Sequence, residues 1–420
     1  MSRKTKTTTT KEVGKPALTP KLRFPEFRDA EGWHATPGDE LFEQINNRQA
    51  HAGLPILAIT QEHGAIPRDA IDYHVSVTDK SVETYKEVQP GDFIISLRSF
   101  QGGIEYSEYH GICSPAYVIL RKRAELSDQF FKPLFKSHSF IQQLTKNLEG
   151  LRDGKMISYK QFSELLLPNP TQPEQQKLAE CLSSVDEVIA AEARKLDALK
   201  SHKKGLMQEL FPREGETQPR LRFPEFQDAP EWGEKAIGDF GEVVTGNTPS
   251  TVRREYYGGC IPFVSPADIS DLRFVERTKK TLTSLGFEQT RQIKANSVLF
   301  VCIGSIGKAA QNTQECATNQ QINSVIPNSD LSDGFVYFAL SHHAERIAKL
   351  AGRQAVPIVN KTLFSSVKML VPKLREQERI ANCLSSLDEL IFGQSNKLEA
   401  LKTHKKGLMQ QLFPSPEEEV

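Results

Sequence analysis

The stretch EQQKLAECLSSVDEVIAAEARKLDALKSHKKGLMQELFP (Glu174–Pro212) returns as EQERIANCLSSLDELIFGQSNKLEALKTHKKGLMQQLFP (Glu376–Pro414), with about two-thirds of positions identical. In the first copy apolar side chains fall at Leu178, Leu182, Val185, Ile189, Leu196, Leu199, Leu206 and Leu210, in alternating steps of four and three interrupted by Glu192 and Lys203. The second copy gives Ile380, Leu384, Leu387, Ile391, Leu398, Leu401, Leu408 and Leu412, interrupted at the matching places by Gln394 and Lys405. This is the a/d seam of a heptad repeat. Each copy predicts a helix of about 39 residues, roughly 58 Å long at about 1.5 Å per residue. Each seam could pack onto its own domain, as most amphipathic stripes do, but heptads sustained in both copies favour pairing of the two helices. The first helix runs directly into the second domain and the second helix starts out of that same domain, so the pair is antiparallel. The two halves are then related by a pseudo-twofold axis, like an isologous dimer fused into one chain.

Outward from the helices, a second phrase is repeated. KLRFPEFRDAEGW (Lys21–Trp33) returns as RLRFPEFQDAPEW (Arg220–Trp232), with both tryptophans of the chain at matching positions. Two separated phrases repeated in the same order make two equivalent half-molecules joined head to tail, and two equivalent sites. Between the phrases, Ala35–Leu167 and Ala236–Val371 show no comparable identity. A shared framework therefore carries two divergent inserts.

The length of 420 residues accommodates two ordinary domains with real cores. With 38% hydrophobic and 25% charged residues the composition is that of a soluble globular protein. No apolar run approaches the roughly 18 residues of a membrane helix. The start, MSRKTKTTTTKEVGKPALTP, has no apolar core of a signal peptide and reads as a disordered lead. A cytoplasmic location is expected. Six cysteines without a CxxC pair are expected to be reduced and mostly buried. The formal net charge is zero, so any argument for an acidic partner must rest on local charge. The cations of the two HKKG stretches (His202–Gly205, His404–Gly407) are placed near helix C-termini, where the helix dipole favours them without any ligand.

The first insert reads as short strands and turns: PILAIT (Pro55–Thr60), VQPGDFIISLRS (Val88–Ser99) and SPAYVILRKR (Ser114–Arg123), followed by a helical pattern over Ser127–Leu148. The second contains EVVTGNTPS (Glu242–Ser250), EYYGGCIPFVSPADI (Glu255–Ile269), NSVLFVCIGSIGKAA (Asn296–Ala310) and ATNQQINSVIP (Ala317–Pro327). Both inserts are mixed α/β. GSIGK lacks the spacing of a phosphate loop and reads as a tight strand connection. Runs rich in amides and hydroxyls, such as VTGNTPS and TNQQIN, carry groups able to read base edges or hold phosphates, although ordinary loops share that composition. No dinucleotide-binding, Walker, zinc-protease or nucleophile-elbow motif is present, nor the tetrapeptide with which amino-methyltransferases hold a flipped base. The chain is expected to be a reader, without catalytic residues or metal ligands.

With these phrases in place, the sequence closely resembles the specificity subunit of type I restriction-modification systems. The resemblance covers nearly the whole chain after the first 20 residues. It rests on LRFPEF, on the LP or VP before an EQ helix start (Leu167-Pro168, Val371-Pro372), on KKGLMQ(E/Q)LFP, and on TGNTPS, YYGGCIPFVSPADI and TNQQIN. Phe263 stands where the family usually has Trp, and SPAYVILR marks the first insert as a different subgroup. The resemblance implies a fold of two mixed α/β target recognition domains separated by long helices that form an antiparallel coiled coil. The corresponding division is a tail (1–19), a first recognition domain (20–168), a helical spacer (169–212), a linker (213–218), a second recognition domain (219–372), a second spacer (373–414) and an acidic tail (415–420). It implies a non-catalytic subunit binding a bipartite double-stranded DNA site, docked to two methylation and two restriction subunits. S-adenosylmethionine, ATP and Mg would be cofactors of those partners and not of this chain. The bland alternative is a coiled-coil scaffold without sequence-specific DNA binding; a stand-alone modification enzyme is a third reading. Candidate DNA contacts are Arg98, Gln101, Lys155 and Tyr159 in the first domain, and Asn247, Thr248, Ser305, Lys308, Asn319 and Gln320 in the second. Each has a cationic or hydrogen-bonding group in an expected loop or strand end, and each could equally serve an ordinary turn.

Overall fold

The computed structural model describes residues 18–48, 53–71, 82–123, 125–146, 157–275, 277–352 and 356–414. The chain divides into two compact units: residues 1–190 with 399–420 form unit 1, and residues 191–398 form unit 2. Both repeated phrases become helices of 39 residues, Gln172–Leu210 and Leu374–Leu412, and each helix is shared between the units. Pro173 sits in the first turn, where its missing N–H costs nothing. Pro212 and Pro414 follow the helix ends, since proline cannot continue the hydrogen-bond ladder. Every seam residue named above is buried or half-buried.

The pairing is readable inside each unit. In unit 2, Gln394 Nε2 donates to the carbonyl and Oε2 of Glu192 at 2.9 and 2.6 Å, and Lys203 Nζ reaches Asp388 Oδ1 at 2.5 Å. Numbers rise along one helix as they fall along the other, so the helices are antiparallel. In unit 1, Lys405 Nζ holds both oxygens of Asp186 at 2.5 and 2.7 Å, while Leu178, Leu182, Leu412 and Phe413 share one core. The direction there is antiparallel as well. All four polar interruptions of the heptad are thus contacts between the helices. Polar groups that must find each other inside an apolar seam fix its register. This corrects one expectation: the helices run five residues beyond Gly205 and Gly407, no base lies in either last turn, and Lys203 and Lys405 serve carboxylates instead of the helix dipole.

The two inserts, unlike in sequence, build the same sheet. In unit 1 the strand order is Phe42–Ile45, Val118–Lys122, Phe93–Ile95, Glu105–Tyr106, with every neighbour antiparallel. In unit 2 it is Gly241–Thr245, Ile322–Pro327, Val298–Val301, Ala309–Asn312, again antiparallel, with Phe274–Val275 added in parallel at one edge. A two-stranded ribbon closes each insert: His34–Pro37 with Leu166–Asn169, and Gly233–Ala236 with Lys368–Val371. The helical pattern over Ser127–Leu148 becomes two helices, Asp128–Leu134 and His138–Lys146. GSIGK connects two antiparallel neighbours, with Gly304 and Gly307 at φ of +78° and +104°, values that favour glycine.

Each long helix ends by placing a phenylalanine in a core. Phe413 packs in unit 1 against Phe130, which also meets Trp33, and Phe211 packs in unit 2 against Trp232 and Phe335. In unit 1, Phe42 gathers Phe93, Phe131, Phe135 and Phe162 around it at ring separations of 5.2 to 6.0 Å. Such tilted and edge-on pairs add to the burial of the rings.

Candidate nucleic-acid interface

The frame fixes each sheet through the two repeated phrases. Arg23 grips Glu174 with two bonds, Nε to Oε1 at 2.7 Å and Nη2 to Oε2 at 2.8 Å, and also donates to the carbonyls of Ala30 and Glu31. Arg222 repeats this with Glu376 at 2.8 and 2.8 Å and with the carbonyls of Ala229 and Pro230. Both carboxylates are almost fully buried. The carboxylate hydrogen bonds raise both arginine pKa values above the ordinary range. The next residues, Gln175 and Gln377, are buried too: each donates to a proline carbonyl, Pro170 or Pro372, and accepts from the backbone of Ser127 or Ser332. The EQ pair that opens each helix is therefore the socket for the α/β insert beside it.

On this mounting, the loops of each insert gather by strand register. In unit 2, Thr245 pairs with Asn323, Val301 with Ile322 and Phe300 with Ala309, so the loops after Thr245, before Ile322 and between Val301 and Ala309 leave the sheet at one end. Those loops carry Asn247 and Thr248, Asn319 and Gln320, and Ser305 and Lys308. Thr248 Oγ1 donates to Gln320 Oε1 at 2.8 Å. Gly246 lies so close to the neighbouring loop that a Cβ would stand 2.3 Å from the carbonyl oxygen of Thr318 and 2.4 Å from that of Asn319. Asn247 spends both ends of its amide on the backbone of Gln289 and Arg291, and Asn319 bonds Gln321. Ser305 and Lys308 are exposed, as is Gln320. The two asparagines thus shape the loops, while Thr248, Gln320, Ser305 and Lys308 present polar groups to solvent.

Unit 1 repeats the arrangement. Ile45 pairs with Ile119 and Ile95 with Val118, so the segments after Ile45, after Ile95 and before Val118 share one end. Arg98 and Gln101 are exposed on the segment after Ile95, Gln101 within the short helix Ser99–Gly102. Gln61 Nε2 donates to the Arg98 carbonyl at 3.2 Å and steadies this segment. Tyr159 is half-buried, and its hydroxyl donates to the Phe42 carbonyl at 3.0 Å. Lys155 lies outside the described residues. Sequence reasoning missed Arg291, an exposed cation at the same end of unit 2, whose Nη1 donates to the Thr245 carbonyl at 2.7 Å. Its separation of 46 residues from Thr245 leaves no local signal. It also missed Lys86, which donates to the Tyr117 carbonyl at 2.7 Å and lines a cavity of about 480 Å³ with Gln44, Tyr159 and Lys160. Burial, and then the charge of Arg48, holds the Lys86 amine below the usual lysine range.

All six cysteines are free. Burial pushes the Cys113, Cys302 and Cys316 thiols up to about 12, so they are packing groups and not nucleophiles. Among the described residues, no group of His, Cys, Asp and Glu could hold a metal ion, and no helix is long and apolar enough to cross a membrane.

Each unit thus carries an antiparallel sheet with a polar loop edge, tied to the start of a long helix by a buried arginine–glutamate clamp. The family described as the type I restriction modification DNA specificity domain matches residues 230–402. The type I restriction enzyme HindI specificity subunit of Haemophilus influenzae is 32% identical over 146 residues, which cover 34% of this chain and 32% of that protein. This chain spans from about a third to about two-thirds of the length of the curated relatives it matches. The fold is shared with the type I restriction-modification S subunit from M. genitalium, at a TM-score of 0.54 and 16% identity, covering 95% of this chain and all of that one. It is also shared with a chain solved to explain assembly and conformational transition of the type I R-M system, at a TM-score of 0.58 and 17% identity, covering 91% and 98%. In these respects the chain is similar to type I restriction-modification specificity subunits.

Proposed function

We propose that this chain reads a bipartite double-stranded DNA sequence, one half-site per unit, and confers that sequence on a type I restriction-modification complex. The observation that carries the reading is the convergence, at one end of two equivalent sheets, of hydroxyl, amide and cationic side chains from loops that differ between the units. Unlike loops on like sheets select unlike bases, because each base pair offers its own pattern of donors and acceptors. The chain itself is non-catalytic. Methylation and restriction subunits, two of each, dock on the long helices; S-adenosylmethionine, ATP and Mg belong to those partners, and the complex works in the cytoplasm. A neutral chain suits this role, since partners supply part of the phosphate grip. The test is long-read methylation mapping in cells that carry this chain, and in cells where residues 233–371 are exchanged for an unrelated insert of the family. One half of the methylated sequence should change and the other should stay. An unchanged sequence would favour a scaffold that never touches DNA.

A further inference from the structure

In unit 1, Lys21, Lys136, Lys402, Lys405 and Lys406 converge with His138 on a concavity of about 530 Å³, and no carboxylate belongs to its lining. These groups come from three distant places: the opening of the LRFPEF phrase, the start of the helix His138–Lys146, and the end of the second long helix. A main-chain bond from Leu22 N to the Gln411 carbonyl, 3.0 Å, ties the first to the third. Three of the lysines answer carboxylates outside the cleft: Lys136 with Glu105 at 2.5 Å, Lys402 with Glu399 at 2.8 Å, and Lys405 with Asp186 at 2.5 Å. The side chains of Lys21, Lys406 and His138 are exposed and make no hydrogen bond or ion pair among the described residues.

The chain has equal numbers of cationic and anionic side chains, 53 of each, so this excess comes from placement and not from composition. Like charges gathered in a concavity repel one another, and low-dielectric walls focus their field outward; a bound anion relieves both. The positive end of the dipole of helix His138–Lys146 adds to the field, with His138, Ile141 and Gln142 lining the cleft. The same helix packs against Ser99–Gly102, the segment that carries Gln101 and follows Arg98. One wall of the cleft is therefore a helix that also touches the segment bearing the candidate contacts of its own unit.

We propose that this cleft grips a phosphodiester of the DNA backbone beside the half-site read by unit 1. The proposal rests on the DNA-reading function above and adds to it a contact that positions the duplex without reading a base. Lysine suits the task as a mobile point charge, and a wall helix that packs against the segment following Arg98 makes DNA the occupant in preference to an acidic protein.

The test uses the full complex with its methylation partner. K21Q/K406Q is compared with the native chain for binding to a duplex carrying the mapped site and to a scrambled duplex, across a range of salt. The slope of log affinity against log salt should fall by about 1.8, two contacts at about 0.9 each. Affinity for both duplexes should fall by the same factor, about tenfold or more, with the methylated sequence unchanged, and K21R/K406R should restore binding. An unchanged slope overturns the proposal. So does loss of the methylation partner on purification at unchanged slope, which would make the cleft a protein dock, and so does an altered methylated sequence, which would make it a base reader. If the native complex does not prefer the mapped duplex, it is the DNA-reading function that fails. The scrambled duplex then still decides the cleft, because its slope needs no sequence preference.

Discussion

Arg23 and Glu174 lie 151 residues apart in sequence and meet through two bonds of 2.7 and 2.8 Å, a buried clamp that Arg222 and Glu376 repeat across 154 residues. The partners of each clamp sit in the two phrases that the chain repeats. The repetition of both phrases is therefore the repetition of one contact. Arg23→Ala would leave the Glu174 carboxylate buried without its cation and should destabilise unit 1 by about 3 kcal/mol. Replacing both partners, Arg23→Met with Glu174→Leu, should recover most of that loss. Thermal unfolding of the two variants checks the contrast, and equal losses would show that the clamp is not the cause.

Glu192 and Gln394 interrupt the seam at matching places and bond each other at 2.6 Å. Substituting leucine at both should stabilise the helix pair, since leucine at two matching seam positions adds apolar surface to the interface between the helices. Register would then be specified less firmly. Denaturant melts give the first effect; cross-linking between cysteines introduced on the facing sides of the two helices reports the second.

Acid should loosen unit 2. Burial, then the charges of His342 and Arg346, pushes His343 down to about 3 from its ordinary 6.5, and burial with Arg346 lowers His342 as well. Both rings stay neutral in the folded chain where the unfolded chain would take protons. Their contribution is complete above about pH 6.5 and is lost progressively as pH falls from there towards 3. Unfolding measured at a series of pH values should show this slope, and His343→Asn should flatten it.

The loop contact at Gly246 offers a one-sided test. Gly246→Ala would drive a methyl group into two main-chain oxygens that cannot swing away. It should separate the Thr248 loop from the Gln320 loop and degrade one half of the methylated sequence while sparing the other. Gln320→Ala should act on the same half more gently, by about 1 to 3 kcal/mol of base discrimination. Methylation mapping reads both variants.

The seam was legible because a heptad declares itself within a few turns, and strands such as Val298–Val301 and Val118–Lys122 declare themselves by apolar runs between turns. The shared sheet order of the two inserts was not legible. A strand needs only its pattern of buried positions, so Phe93–Ile95 and Val298–Val301 fill one place in the sheet with different residues. Nor could the uses of individual polar groups be read. Asn247 and Tyr159 carry side chains that can hydrogen-bond a ligand, and both spend those groups on backbone atoms. Whether an amide faces a ligand or its own loop depends on contacts such as that with Gln289, 42 residues away. Lys203 and Lys405 stand near a helix end in sequence, whereas their partners lie on the other helix.

The clamps at Glu174 and Glu376 and the glutamine sockets beside them join repeated phrase to repeated phrase or to main-chain atoms. An insert needs only a ribbon, a serine such as Ser127 or Ser332 just before a helix, and an aromatic pocket for the terminal phenylalanine to be seated in either unit. An insert can therefore change its loops without changing how it is held, because the contacts that hold it are made by the repeated phrases and by main-chain atoms.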